Sequence, residues 1–279
     1  PRTILSKLGA EVYDPIIEET KGNTLDFSSV FGYESVKSQI LESLVLPLRN
    51  PEPFFEITKF TRLKPTNILP RAVLLEGEPG VGKTTMAKIA SHLCQIPMVY
   101  VPIESILSKY YGESSQNLAM VFDAVSLFPK AMLFLDEIDS LATSRDDGMF
   151  EATRNVLGVL LRKLDGFAGR GGTITIGATN RREDLDKALL SRFDRKIYFP
   201  LPSEAERAQI LEGYAKHLSF TERKQVAERL PDASGRNLRD FCDYVERRWI
   251  TARLGSEREL GIPDFSFYLD SLPEFRWKP

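Results

Sequence analysis

Cysteine and histidine are scarce in this 279-residue chain, two of each: Cys94 and Cys242, His92 and His217. Neither pair has metal-ligand spacing and no H-E-x-x-H pattern occurs, so the signature of a zinc protease is missing. Both cysteines lie in apolar helical patterns and are expected as reduced core residues, the usage of an intracellular, soluble protein. Charge of one sign is also lacking. The 37 Lys and Arg against 39 Asp and Glu leave a net charge of -2, with a sequence pI of about 5.9. That balance provides no overall pull toward nucleic acid or an anionic membrane, and no nucleic-acid partner is expected. Apolar runs stay far below the ~20 residues of a membrane-spanning helix, and no secretory leader is visible. No nucleophile with a partnered base can be read. The remaining composition, 42% hydrophobic and 27% charged, is that of a globular protein, long enough for one large domain and a smaller one. The first residue is Pro1, so the chain is expected to be a trimmed or processed piece.

The strongest pattern present is Gly77-Glu78-Pro79-Gly80-Val81-Gly82-Lys83-Thr84, preceded by the apolar run Ala72–Leu75. It fits G-x-x-x-x-G-K-[ST] between a buried strand and a helix, the setting of a phosphate loop. Glycines are needed there because backbone N–H groups must curl around phosphates in conformations that a Cβ opposes. The helix that follows adds unpaired N–H groups and the positive end of its dipole. Lys83 is expected to reach the β- and γ-phosphates, and the Thr84 hydroxyl to ligate Mg²⁺, with Thr85 next in line on the same turn. These residues point to a bound ATP or GTP.

In chain order, residues 1–24 mix turn formers and charges and read as a linker, in which Ile4, Leu5 and Leu8 could pack as a short helix. A turn at Asp26–Tyr33 leads into a helix with the apolar face Val36, Ile40, Leu41, Leu44 and Val45, ended by Pro47, Pro51 and Pro53. Apolar runs then alternate with amphipathic stretches. Ala72–Leu75, Met98–Val101, Ala131–Leu135, Thr173–Ala178 and Lys196–Phe199 are expected as strands buried on both faces, with helices near Thr84–Leu93, Ser114–Leu127 and Phe150–Leu164. That alternation predicts a parallel sheet covered by helices. After Pro202 three helices, Glu204–His217, Glu222–Leu230 and Asn237–Leu254, follow without a strand, and a shorter tail runs from Ile262 to Pro279. The expected domains are therefore a linker (1–24), a large α/β nucleotide-binding domain (25–202) and a small all-α lid with its tail (203–279).

The run Ala131–Leu135 ends in Asp136-Glu137. A buried strand that delivers two carboxylates at its C-terminal end puts them at the ligand edge of a doubly wound sheet. Asp136 is suited to hold Mg²⁺ and Glu137 to polarise the water attacking the γ-phosphate. Asp139 reads as an acid at a helix N-terminus. Asn180, at the end of the Ile176–Asn180 run, either orients the lytic water or touches the γ-phosphate, or else satisfies its own turn.

Together these parts, from about Asp26 to Ile250, resemble the AAA+ ATPases, and specifically the classical AAA family. Thr173–Pro202 resembles the family's second region of homology, which makes Asn180 its sensor-1 residue. The same match puts Arg192 at the arginine-finger position, from which a guanidinium reaches the neighbouring subunit's nucleotide. Family members usually carry two arginines there, and this chain has Ser191 where the first would fall, with Arg195 close by. Arg236, in Ser234-Gly235-Arg236-Asn237-Leu238, resembles the sensor-2 arginine of other AAA+ branches. Ser108–Glu113 resembles the first pore loop, whose aromatics, here Tyr110 and Tyr111, grip extended polypeptide because flat side chains pack on any sequence. Arg145–Glu151 falls at the second pore loop, and Thr153-Arg154-Asn155 keeps one arginine of a usual pair. Adenine contacts carry over to Val30, Phe31, Gly32, Ile210 and Gly235. The resemblance implies a Mg²⁺-dependent ATPase acting as a homo- or hetero-hexamer on polypeptide, with possible adaptor proteins. A DNA-directed loader or helicase, or a nucleotide-dependent scaffold, is the competing expectation.

Overall fold

The apolar runs of the first two thirds of the chain become one six-stranded sheet. The structure, a computed structural model, describes residues 1–107, 113–141, 147–166, 173–254 and 261–276, with backbone only over 147–152. By their contacts these divide into two compact units: Pro1–Phe27, Ser35–Gly77 and Lys83–Phe199 form the first, and Ser28–Glu34, Glu78–Gly82 and Pro200–Pro279 the second.

The first unit begins with α1 (Arg2–Lys7), β1 (Glu11–Tyr13), α2 (Pro15–Thr20), α3 (Glu34–Ile40), α4 (Leu46–Arg49) and α5 (Pro51–Thr61). Then come β2 (Ala72–Gly77), α6 (Lys83–Cys94), β3 (Met98–Pro102), α7 (Ile103–Leu107) and α8 (Ser114–Val125). It ends with β4 (Ala131–Asp136), α9 (Asp147–Gly166), β5 (Thr173–Thr179), α10 (Lys187–Leu190) and β6 (Arg195–Phe199). The strand order is β1-β3-β4-β5-β2-β6. Five strands are parallel and β1 lies antiparallel against β3. Parallel pairing forces each connection across a face of the sheet, so both faces carry helices and the inner strands read as unbroken apolar runs. In contrast β6, expected to be buried on both faces, is an edge strand that buries Ile197 and Phe199 and exposes Arg195, Lys196 and Tyr198. Leu74, Val99, Val101, Leu133 and Leu135 join Leu118 and Phe122 of α8 and Leu160 of α9 in one core. The alternate residues Val73, Leu75, Met132, Phe134 and Ile176 are equally buried, and α6 packs against β2, β4 and β5.

Residues 1–24, expected as a linker, are built into this unit. Leu5 of α1 is fully buried in the core, and Glu11, Val12 and Tyr13 pair with Tyr100, Val99 and Met98. Three residues are too few to display a period of two, which is why the strand is silent in the sequence. The prolines also act differently from expectation. The helix runs on through a π-helical turn at Leu41–Val45 into α4, which contains Pro47, and Pro51 and Pro53 open α5 instead of ending what precedes it. A missing N–H costs nothing in a first turn, and the π turn relieves the clash around Pro47.

The second unit holds α11 (Glu204–Tyr214), α12 (Phe220–Glu228), α13 (Gly235–Arg253) and α14 (Phe265–Ser271). Its first three helices each open on a capping box, Ser203 with Glu206, Ser219 with Glu222 and Ser234 with Asn237, which satisfies otherwise orphaned N–H groups. Leu211, Val226, Leu238, Phe241 and Val245 fill its core. The stretch after Ile262, expected as a tail, contributes α14, whose Tyr268 is fully buried beside His217 and Phe241. Both cysteines are free, and burial pushes each thiol up to about 12.

Candidate active site

Parallel strands deliver their C-terminal ends to one edge, and three of them carry the residues singled out above. In register, Leu75 and Glu76 of β2 face Ala178 and Thr179 of β5, and Leu135 of β4 faces Gly177. Gly77, Asp136 and Asn180 therefore leave the sheet at neighbouring points. Gly77 has φ +147, and a Cβ there would stand 2.3 Å from the Phe199 carbonyl oxygen of β6. Only glycine allows that approach.

Lys83, the first residue of α6, is 8% exposed. Its ammonium donates to the Gly77 carbonyl oxygen at 2.5 Å and to Asn180 Oδ1 at 2.8 Å. A buried cation requires such partners. Next to it, Thr84 Oγ1 lies 3.3 Å from Asp136 Oδ2. Oδ2 also accepts from the Tyr100 hydroxyl at 3.0 Å, while Oδ1 accepts from the Glu137 N–H at 3.0 Å. Burial, and then the Asp136 charge, push the Tyr100 hydroxyl well above its ordinary value, so it stays a donor. A hydroxyl and a carboxylate are the oxygen donors that a hard cation takes. Glu137 is exposed and adopts φ +55, a left-handed conformation uncommon outside glycine. Such an outlier in one member of the Asp136-Glu137 pair is the kind of local strain found at functional sites.

Asp139 does more than its sequence reading allowed. Its Oδ1 accepts from Thr179 Oγ1 at 2.8 Å and from the Asn180 N–H at 3.2 Å. It therefore holds the end of β5 from which the Asn180 amide reaches Lys83. Sequence reading missed this, and it missed Tyr100 as well. The available signals were a carboxylate placed three residues after Asp136 and a hydroxyl-bearing ring near the end of β3.

Within the second unit, Gly80 and Gly82 adopt φ +81 and +94. A Cβ on Gly80 would come within 2.7 Å of Arg236 Cβ and Ser234 Oγ, whereas Gly82 has open space around it. The Gly80 carbonyl accepts from the Arg236 N–H at 3.2 Å. The turn is thus shaped as a cradle of left-handed glycines whose N–H groups suit an anion. Val81 is buried, while Glu78, Pro79 and Thr85 are exposed. The expected adenine residues share this unit. Phe31 lies against Gly213 of α11, Gly32 (φ +72) against Glu206, and Tyr33 donates its N–H to Glu206 Oε1 at 3.1 Å. Val30 is half-buried, Ile210 is 7% exposed and Gly235 opens α13. The Arg236 side chain is exposed.

Arg192 does not stand alone. Its guanidinium donates to both Asp165 oxygens, with distances from 3.0 to 3.3 Å, and to Ser191 Oγ at 3.0 Å. Arg195 is the exposed first residue of β6. Tyr110 and Tyr111 lie outside the described residues, as do Arg145, Asp146 and the side chains of 147–151.

A mostly parallel sheet with a buried lysine at its ligand edge, that lysine ending a G-x-x-x-x-G-K sequence, defines a P-loop nucleotide-binding protein. Residues 73–201 match the family described as "ATPase family associated with various cellular activities (AAA)". The chain belongs to that family, in its classical AAA branch. Among its relatives, "ATPase with bromodomain protein abo2" of Schizosaccharomyces pombe is 37% identical over 202 residues, 70% of this chain and 16% of that protein. A "Proteasome-activating nucleotidase" of Methanothermobacter thermautotrophicus is 33% identical over 240 residues, 82% of this chain and 57% of that one. In fold, the crystal structure of the FIGL-1 AAA domain in complex with ADP matches with a TM-score of 0.77 at 24% identity, covering 98% of this chain and 90% of that one. The chain spans less than two thirds of the length of each curated relative named here.

Proposed function

We propose that the chain is the ATP-hydrolysing module of a ring-forming motor that remodels or unfolds protein substrates. The observation that carries this reading is the convergence of Lys83, Asn180, Thr84, Asp136 and Glu137 on one sheet edge, with Lys83 Nζ within 2.8 Å of Asn180 Oδ1. The Lys83 ammonium and the N–H groups of the Gly77–Thr84 loop bind and orient the phosphates of ATP. The Thr84 hydroxyl and the Asp136 carboxylate would hold Mg²⁺, which when bound would supply positive charge against the phosphates. Glu137 accepts the proton of the attacking water, and Asn180 orients that water. Arg192, released from Asp165, adds its cation to the site of an adjacent copy in a homo- or hetero-hexamer. By the family resemblance Arg236 takes the sensor-2 role, and Val30, Phe31, Gly32, Ile210 and Gly235 contact the base. Tyr110, with Tyr111 beside it, grips polypeptide. A relative named as a proteasome-activating nucleotidase supports protein over DNA as the material acted upon, as does the net charge of -2.

Three variants test this reading. Lys83→Ala is expected to abolish binding of a fluorescent ATP analogue. Glu137→Gln is expected to keep that binding and to lose hydrolysis by roughly two orders of magnitude or more. Tyr110→Ala is expected to keep basal hydrolysis and lose unfolding of a tagged protein. Hydrolysis by Glu137→Gln at the wild-type rate would refute the chemistry. Stimulation of the ATPase by DNA and not by unfolded protein would redirect the substrate class.

A further inference from the structure

Glu76 is a carboxylate in the middle of the sheet. It is 4% exposed, and in register it lies between Thr179 of β5 and Tyr198 of β6. Its Oε2 accepts from Arg182 Nη1 at 3.2 Å, and its Oε1 has no hydrogen-bond partner. Burial pushes this carboxyl up from the ordinary range, against the pull of Arg182 and Lys196. A well-packed apolar residue of similar volume would serve the fold as well or better, because desolvating a carboxylate costs more than a half-exposed arginine returns. The carboxylate therefore needs a reason other than stability.

Its position supplies one. Glu76 immediately precedes Gly77, whose carbonyl takes the Lys83 ammonium, and Lys83 also donates to Asn180. Arg182 lies two residues beyond Asn180, in a short 3-10 turn at Arg182–Asp184. Glu76, Gly77, Lys83, Asn180 and Arg182 thus form a closed circuit of two hydrogen bonds, one ion pair and two short stretches of backbone. Asp139 anchors the end of β5 on one side of Asn180. The Glu76–Arg182 pair anchors the chain on the other side.

We propose that Glu76 and Arg182 are positioning residues that hold the Asn180 amide against Lys83. This role rests on the hydrolysis reading above, since Asn180 acts there on the attacking water. The loss expected on breaking the pair is in turnover and not in nucleotide affinity, because the phosphate loop itself is untouched.

The test compares Arg182→Gln, Glu76→Gln, the double variant and Arg182→Lys in the complete protein. It reads kcat, the Kd of a fluorescent ATP analogue, and amide hydrogen exchange at 179–184 in a Glu137→Gln background. Each Gln variant is expected to lower kcat about tenfold, the scale of a small misplacement at the reacting centre. Kd should stay within about twofold, and exchange at 179–184 should speed up. The double variant should be no slower than the slower single variant, and Arg182→Lys should recover most of the turnover. Arg182 is more than half exposed (side chain 55%), so Arg182→Gln carries the test even if Glu76→Gln does not fold. An unchanged kcat in Arg182→Gln, a Kd that rises in step with the fall in kcat, or losses that multiply in the double variant would each overturn the assignment. If the wild type hydrolyses ATP no faster than Glu137→Gln, the hydrolysis reading is what has failed. The exchange measurement then decides the positioning role by itself, and unchanged exchange at 179–184 ends it.

Discussion

Asp194 closes the seam between the start of β2 and the start of β6. Its Oδ2 accepts from the Arg71 and Ala72 N–H groups at 2.7 and 3.4 Å, and its Oδ1 from Arg71 Nη2 at 3.1 Å. Burial by itself would raise this carboxyl, but the Arg71 side chain and the two backbone donors outweigh it and hold it below the usual aspartate range. A carboxylate with a depressed folded-state pKa stabilises the fold above its unfolded value, and that contribution is lost as pH falls through the folded value. Asp194→Asn should cost about 1 kcal/mol at pH 7, a figure kept small because Arg71 is largely exposed. In urea denaturation the gap between wild type and variant should hold steady from pH 7 to 5 and narrow below about pH 4. A gap that does not change with acid would mean that the charge is not what Asp194 contributes.

At the scale of elements, β5 is the strand whose end most needs to be in place, since it carries Asn180 and is anchored by Asp139. Gly177 lets it pack tightly: a Cβ there would stand 2.8 Å from Phe193 Cζ and 3.2 Å from Ile138 Cδ1. Phe193 is 5% exposed and part of the core, so it cannot swing aside cheaply. Gly177→Ala should therefore destabilise the protein by about 1–3 kcal/mol, the usual cost of overpacking. A lowered thermal midpoint with reduced hydrolysis is the expected result, and an unshifted midpoint would mean that the core yields more readily than its packing implies. Most elements were legible beforehand because their signals are local. Examples are the apolar run before Gly77, the amphipathic period from Ser114, and the succession of helical stretches without a strand after Pro202. The N-terminal strand and the proline-opened helix at Pro51 were not, since one is too short for periodicity and the other begins with residues that usually stop a helix.

At the scale of the whole molecule, Arg192 is paired in its own chain with Asp165, and both side chains are substantially exposed, 34% and 58%. A pair of that kind is worth only about 0–1 kcal/mol, so it can be exchanged for a stronger anion without unfolding anything. Arg192→Ala should leave the thermal midpoint unchanged and reduce hydrolysis by on the order of 10³, as removal of an arginine finger does. Mixing Arg192→Ala with Glu137→Gln subunits should recover activity that neither has alone, because each contributes the group that the other lacks. A mixture as inactive as its components would mean that the arginine does not act between subunits. No helix among the described residues is long and apolar enough to cross a membrane.

By its order of residues alone, the chain determined the glycine-rich loop after β2, the Asp136-Glu137 pair at the end of β4, the inner strands and the helices after Pro202, since each depends on neighbours a few positions apart. Tertiary structure decided which side chains hold those parts at working distance: Asp139 on Asn180, Tyr100 on Asp136, Glu76 with Arg182, Asp165 with Arg192. The physical reason is the crossover geometry of a parallel sheet, which sets strands side by side in an order that the sequence does not display. Residues 27 to 106 positions apart then share a hydrogen bond, and no local pattern reports it.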